Sequence, residues 1–177
     1  LERVGKAGAK FDFDKTRWFN QQYLRAKSSE ELSEKLQEIL KKQGIVKDNK
    51  FVAQVCEQLK ERATFVNDMW REGKYYFEAP NEYDPKTVRK KWKEDTPLLL
   101  MEFKNKLELI SDFSSENIEF SFKEYLQEKD IGMGKLLPAF RLSLTGVGMG
   151  PSLFDIAALL GKKETIFRIE SAIKNII

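Results

Sequence analysis

Apolar positions recur at helical spacing along most of the chain, and turn-forming residues separate the runs. Between Lys15 and Ala26 the spacing predicts a helix with Trp18, Phe19 and Tyr23 near one face. Ser28 to Glu31 form a capping-box pattern that starts a second helix, with Leu32, Leu36, Ile39 and Leu40 on one stripe and Gly44 as its left-handed cap. The clearest run places Val52, Val55, Cys56, Leu59, Ala63, Val66 and Trp70 in register, predicting one long helix from Phe51 to about Arg71. Pro80, Asn81 and Pro85 break the chain after the aromatic stretch Tyr75 to Phe77 and mark a boundary between helical pairs. A short basic helix follows. Thr96 and Pro97 then start a helix to about Asp112, and Ser114 caps another that carries Ile118, Phe122, Tyr125 and Leu126. Helices over Leu136–Thr145, Pro151–Leu160 and Glu164–Ile177 complete the chain, with Gly132 and Gly134 turning before the first of these and Gly161 closing the second. No stretch alternates in the strand manner, so the expected fold is all-α, without a repeat of fixed period.

Charge adds a second pattern. The net charge of the 177 residues is only +3, but seven Lys/Arg against three Asp/Glu stand in residues 1–27. Lys86, Arg89, Lys90, Lys91 and Lys93 then form a run with no acid among them. Two basic patches on a near-neutral body suit a polyanion, although charge runs also serve simply as solvated faces.

The composition excludes much chemistry. There is no histidine and a single cysteine, which removes Cys/His zinc sites, disulfides and histidine-activated nucleophiles. Cys56 lies inside an apolar stripe, as an inert thiol would. Lack of paired cysteines fits a reduced, cytoplasmic compartment. No apolar run approaches the roughly 20 residues of a membrane helix. The chain opens on Leu1 rather than Met, as expected of a sequence that continues upstream.

Two features could contact nucleic acid. Arg62 stands at the border of the long apolar stripe, where its planar guanidinium could offer two parallel hydrogen bonds to a base; a surface ion pair is the other fate of such a residue. Gly146-Val-Gly-Met-Gly150 has the glycines of a phosphate loop but follows a helical segment and lacks a Lys-Ser/Thr ending. It is better explained as a helix-to-helix turn whose bare backbone lets a flat base or sugar come close.

Four collinear stretches go further: Gly5–Asp12 running on to Lys15–Tyr23, Leu59–Thr64, Ile131–Lys135, and Arg141–Asp155 with the Leu159-Leu160-Gly161 beyond it. In this order and spacing the chain closely resembles bacterial-type glutamyl-tRNA synthetases, class I enzymes, downstream of their KMSKS-type catalytic loop. The resemblance implies an all-α anticodon-binding region of two helical subdomains, with a stem-contact region at 1–45, a first bundle at 46–113 and a C-terminal subdomain at 114–177. It implies tRNA(Glu) and the protein's own N-terminal catalytic domain as partners, with no DNA, no membrane and a monomeric state. ATP and Mg would bind only in that catalytic domain, so this chain would bind RNA without ligating. Arg62 matches the arginine that reads the third anticodon base, Leu153 an apolar residue that packs on a base, and Gly150 a position where some members carry threonine. Lys15, Arg17 and Asn20 fall in the stem-contact motif together with Trp18, which is expected in the core. Lys86, Arg89 and Lys90 are expected to meet phosphates. A helical protein-docking module with solubilising lysines is the alternative reading, and a standalone enzyme finds no support in the residues present.

Overall fold

The structure, a computed structural model, describes residues 13–176, with side chains from Lys15 onward. The Gly5–Asp12 part of the stem-contact motif lies outside the described residues. Those described form ten α-helices and one 3-10 turn, with no strand among them. The helices are α1 (Phe13–Ala26), α2 (Ser29–Lys42), α3 (Asn49–Leu59), α4 (Val66–Gly73), α5 (Pro85–Lys91), α6 (Thr96–Leu109), α7 (Ser115–Glu128), α8 (Met133–Thr145), α9 (Leu153–Leu160) and α10 (Lys162–Asn175).

Helix α2 begins and ends as its sequence dictates. Ser28 Oγ accepts from Glu31 N at 3.1 Å while Ser28 N donates to the Glu31 carboxylate at 3.3 Å. At the other end Gly44 takes φ +75°, and Ile45 N reaches back to Leu40 O at 2.9 Å. Helix α8 starts earlier than predicted, at Met133, so Gly134 stands in its first turn.

The long helix predicted from Phe51 to Arg71 does not exist as one element. It breaks between Leu59 and Val66. In an unbroken helix Phe65 N would donate to Glu61 O. Instead Phe65 N and Thr64 N donate to the Asp68 carboxylate at 2.9 and 3.2 Å, which starts α4. The freed Glu61 carbonyl accepts from Arg25 Nη2 at 3.0 Å and Gln21 Nε2 at 3.4 Å. The break therefore anchors α1, of whose described apolar side chains Leu24 is the buried one, and an ion pair from Arg25 Nε to Glu61 at 2.9 Å completes the tie. Trp18 does not pack in the core as expected. It is 55% exposed, edge-on to the equally exposed Phe19 at 5.1 Å between ring centroids.

Two main cores form. The first gathers Leu32, Leu36, Leu40, Val55, Cys56, Leu59 and Met69 from α2, α3 and α4. The second centres on Phe103, Phe122 and Phe140 from α6, α7 and α8, whose rings lie 5.0 to 6.0 Å apart. The proline-bounded segment between Phe77 and Pro85 separates the stretches of chain that supply them. Ile156 of α9 inserts into the first core, and Gln58 Nε2 donates to Asp155 O at 3.2 Å across the seam.

The glycine loop after α8 is shaped by the segment facing it. Gly146 caps α8 at φ +75°, and its carbonyl accepts from Asp84 N at 2.8 Å. A Cβ on Gly146 would lie 2.6 Å from Glu82 O, and one on Gly148 would lie 2.4 Å from Thr87 Oγ1.

Two predictions follow from this packing. Gly44 and Gly146 share the left-handed φ, but nothing lies within 4 Å of a Cβ at Gly44. Gly44→Ala should therefore cost only the conformational penalty of about 1 kcal/mol, whereas Gly146→Ala should cost roughly 2–4 kcal/mol because overlap with backbone adds to it. Urea midpoints of the two variants check the difference. Burial also pushes the Cys56 thiol from its ordinary 9.0 up to about 12, so the folded chain holds it protonated throughout the neutral range. A thiol reagent at pH 8 should label Cys56 only after denaturation, and labelling of the native chain within minutes would contradict its burial.

Candidate nucleic-acid interface

The break between α3 and α4 also creates a cleft. Arg62 occupies the turn rather than a helix face, with its amide bonded to Leu59 O at 2.9 Å and its side chain exposed. It borders a cavity of about 790 Å³. One wall comes from α4 and the 3-10 turn Lys74–Tyr76, with Arg71, Lys74 and Tyr75; the other comes from the loop after α8, with Val147, Met149 and Gly150. Arg62 and Gly150, chosen from the sequence for separate reasons, thus share one site.

The cations on this cleft are not equivalent. Arg71 pairs with Asp68 at 3.7 Å and Lys74 with Glu78 at 3.1 Å. Arg62 makes no side-chain ion pair or hydrogen bond to the described residues, so its fork is available to a ligand. Among the described residues the surface ion pair considered from the sequence does not form.

Beside Gly150 lie two buried polar atoms without hydrogen-bond partners, Tyr75 Oη and Arg141 Nη1; Tyr75 lines the cleft and Arg141 stands behind its lining. Arg141 is held by its other nitrogen, Nη2, which donates to Pro151 O at 2.9 Å. Burial pushes the Tyr75 hydroxyl up to about 12, opposed by the neighbouring Tyr76 hydroxyl and the charges of Arg141 and Arg62. Burial draws the Arg141 guanidinium down from its ordinary value, while Tyr75 and Tyr76 support its charge. A Cβ on Gly150 would stand 3.2 Å from Arg141 Nη1 and 3.4 Å from Tyr75 Oη. Glycine there leaves room beside both groups that a side chain would crowd.

Leu153 sits elsewhere. Its side chain is 2% exposed in the second core, so it does not line the cleft, and the exposed apolar atoms at the rim belong to Met149 (78%) and Val147 (42%). Lys86, Arg89 and Lys90 are all exposed on α5, and none forms an ion pair with the described residues. Helix α5 packs on α8, and its Thr87 faces Gly148, which brings the basic surface beside the loop that walls the cleft. Lys15 and Arg17 are exposed on α1 and Asn20 is half-buried; Lys15 Nζ stands 6.0 Å from the Phe19 ring centre. Helix α1 meets the α3–α4 turn at Glu61, next to Arg62.

Tyr75, Arg141 and Met149 were not singled out as site residues by sequence reasoning. Arg141 did open the Arg-Leu-Ser-Leu-Thr-Gly stretch, and Met149 stood between two glycines, but their value depends on which side chains are left unpartnered. The glycine loop is no phosphate cradle, because Gly146 and Gly148 lie against Glu82 and Thr87. Among the described residues no group of three or more carboxylate or thiol side chains could hold a metal ion. Among them, too, no helix is long and apolar enough to cross a membrane.

Comparison with known proteins bears on this cleft. Residues 23–173 match the model of a family described as the anticodon binding domain. The chain is 45% identical over 174 residues to a glutamate–tRNA ligase of Phocaeicola vulgatus and 49% identical over 173 residues to that of Flavobacterium psychrophilum, covering 98% of this chain and 34% of each relative. Among solved structures, a glutamate tRNA ligase from Elizabethkingia meningosepticum in complex with its amino acid superimposes with a TM-score of 0.91 at 37% identity, over 98% of this chain and 34% of that one. The chain thus spans about a third of the length of the curated relatives it matches. With both walls of the cleft inside the matched residues, the chain belongs to the anticodon-binding domain family found in glutamate–tRNA ligases.

Proposed function

We propose that this chain reads the anticodon of tRNA(Glu) within a parent protein that attaches glutamate to that RNA. The observation that carries the reading is the exposed Arg62 guanidinium, without a partner among the described residues, beside the cleft between α4 and the loop after α8. Unstacked anticodon bases carry both hydrogen-bonding edges and flat faces. Arg62 supplies a bidentate donor to the third base, which separates the glutamate from the glutamine acceptor. Met149 and Val147 offer apolar contact to a base face. Gly150 contributes bare backbone, and Leu153 acts from beneath by holding the start of α9 in the core.

Phosphate contacts set the register around this reading head. Lys86, Arg89 and Lys90 line one flank, and Lys15, Arg17 and Asn20 on α1 address the stem. Such contacts carry salt dependence rather than sequence information. ATP and Mg belong to the catalytic domain of the parent protein. The parent is cytoplasmic and monomeric and has no DNA or membrane partner.

A second reading, docking on protein, draws support from the exposed aromatic rings of Trp18, Phe19 and Tyr23 on α1. That surface suits contact with the rest of the parent protein and leaves the cleft assignment intact.

The test is binding of this chain to glutamate and glutamine transcripts at low and moderate salt, with Arg62→Ala and Lys90→Ala beside the parent sequence. With about four phosphate contacts, each contributing a slope of roughly −0.9, affinity should fall about 100-fold for a fourfold rise in salt. Arg62→Ala should cost roughly 1–3 kcal/mol of preference for the glutamate transcript, the worth of one bidentate base contact. Lys90→Ala should weaken both transcripts equally and reduce the salt slope by about one. Salt-independent binding, or unchanged preference in Arg62→Ala, would sink the reading.

A further inference from the structure

Behind the cleft lies a residue that is shut off from solvent and reaches the backbone of both walls. Arg168 on α10 is 2% exposed. Its Nη1 donates to Tyr75 O at 2.5 Å and to Leu144 O at 2.7 Å, and its Nε pairs with Glu164 at 2.7 Å. The two carbonyls come from opposite walls. Tyr75 belongs to the 3-10 turn that carries one orphaned group, and Leu144 stands at the end of α8, just before the loop of Val147, Met149 and Gly150.

Taking a guanidinium out of water is costly, and an ion pair with a partly exposed carboxylate offsets only part of that cost. An apolar side chain would fill the space more cheaply but would leave two buried carbonyls without donors, since Leu144 O lies among the last carbonyls of α8, which have no partner within the helix. What this arginine supplies, and an apolar residue could not, is one rigid group bonded to both walls.

We propose that Arg168 is a positioning residue for the cleft, setting the spacing at which Arg62 and the Tyr75 turn on one side and Val147 and Met149 on the other meet one ligand. This rests on the anticodon reading above, but the spacing itself can be measured without RNA. The first measurement is amide hydrogen exchange of this chain and of Arg168→Lys, which keeps the charge but replaces the planar fork with a single ammonium. Exchange should accelerate together in residues 74–78 and 144–150 while α2 and α3 stay as protected as before. Unchanged exchange in either segment overturns the proposal. If Arg168→Lys does not fold, the same comparison on Glu164→Gln decides it: the guanidinium stays but loses its carboxylate anchor, and acceleration confined to the same two segments is expected.

The second measurement separates positioning from plain stabilisation. Well below the melting temperature, Arg168→Lys should lose roughly tenfold or more of the preference for the glutamate transcript, as a displaced recognition group does. Adding Arg62→Ala should then cost little more, because both changes remove one effect. Wild-type preference in a folded Arg168→Lys shows a structural role only and overturns the proposal. If the parent sequence itself shows no preference, the anticodon reading has failed, and the exchange result alone decides whether Arg168 spaces the walls.

Discussion

Much of this molecule follows from a backbone hydrogen bond that is not made, the one from Phe65 N to Glu61 O that a continuous helix would contain. Asp68 takes the amide, and Arg25 and Gln21 of α1 take the carbonyl. Both groups end satisfied, as backbone groups in a folded chain must be. The exchange of partners nevertheless ends one helix, starts another, ties α1 to the bundle and lifts Arg62 out of a helix face into a turn. Neither the cleft nor the attachment of α1 would survive if the ladder ran straight through.

The cleft also depends on how the two cores meet. Its walls come from chain segments on either side of the proline-bounded stretch, and the contacts that hold them are few and mostly polar: Gln58 to the Asp155 carbonyl, Arg168 to two carbonyls, and Asp84 N to Gly146 O. Ile156, Leu159 and Leu160 of α9 add apolar contact. Polar contacts of this kind demand defined geometry, whereas apolar burial tolerates sliding. A seam built from them suits walls that must keep a set distance.

How much of this could be read in the residues depended on how local the cause was. The capping box at Ser28, the left-handed turn at Gly44 and the basic helix after Pro85 depend on neighbours a few positions away, and all three appear where the sequence placed them. The break at Lys60–Phe65 was hidden because apolar spacing continues across it from Leu59 through Ala63 and Val66 to Trp70. Periodicity records which residues face a core, not whether the backbone between them is continuous. Trp18 and Leu153 failed in opposite directions, one exposed and one buried, because exposure is decided by which distant elements cover a position. Tyr75 and Arg141 were illegible for a related reason: an unpaired hydroxyl or guanidinium is defined by what does not reach it, and no short window of sequence contains that information.

The loop after α8 has a consequence for how such chains can diverge. Gly148 has no room for a Cβ because Thr87 Oγ1 fills that place, and Thr87 is in turn bonded to Asp84 at the head of α5. Positions 84, 87 and 148 are therefore one unit of sequence variation although they lie far apart in the chain. A relative that gains a side chain at 148 must turn or give up the hydroxyl at 87 or move α5, and moving α5 carries every lysine on it to a new track along the surface. Drift at a single loop glycine would in this way redraw the charge map of a helix it never touches through a side chain of its own.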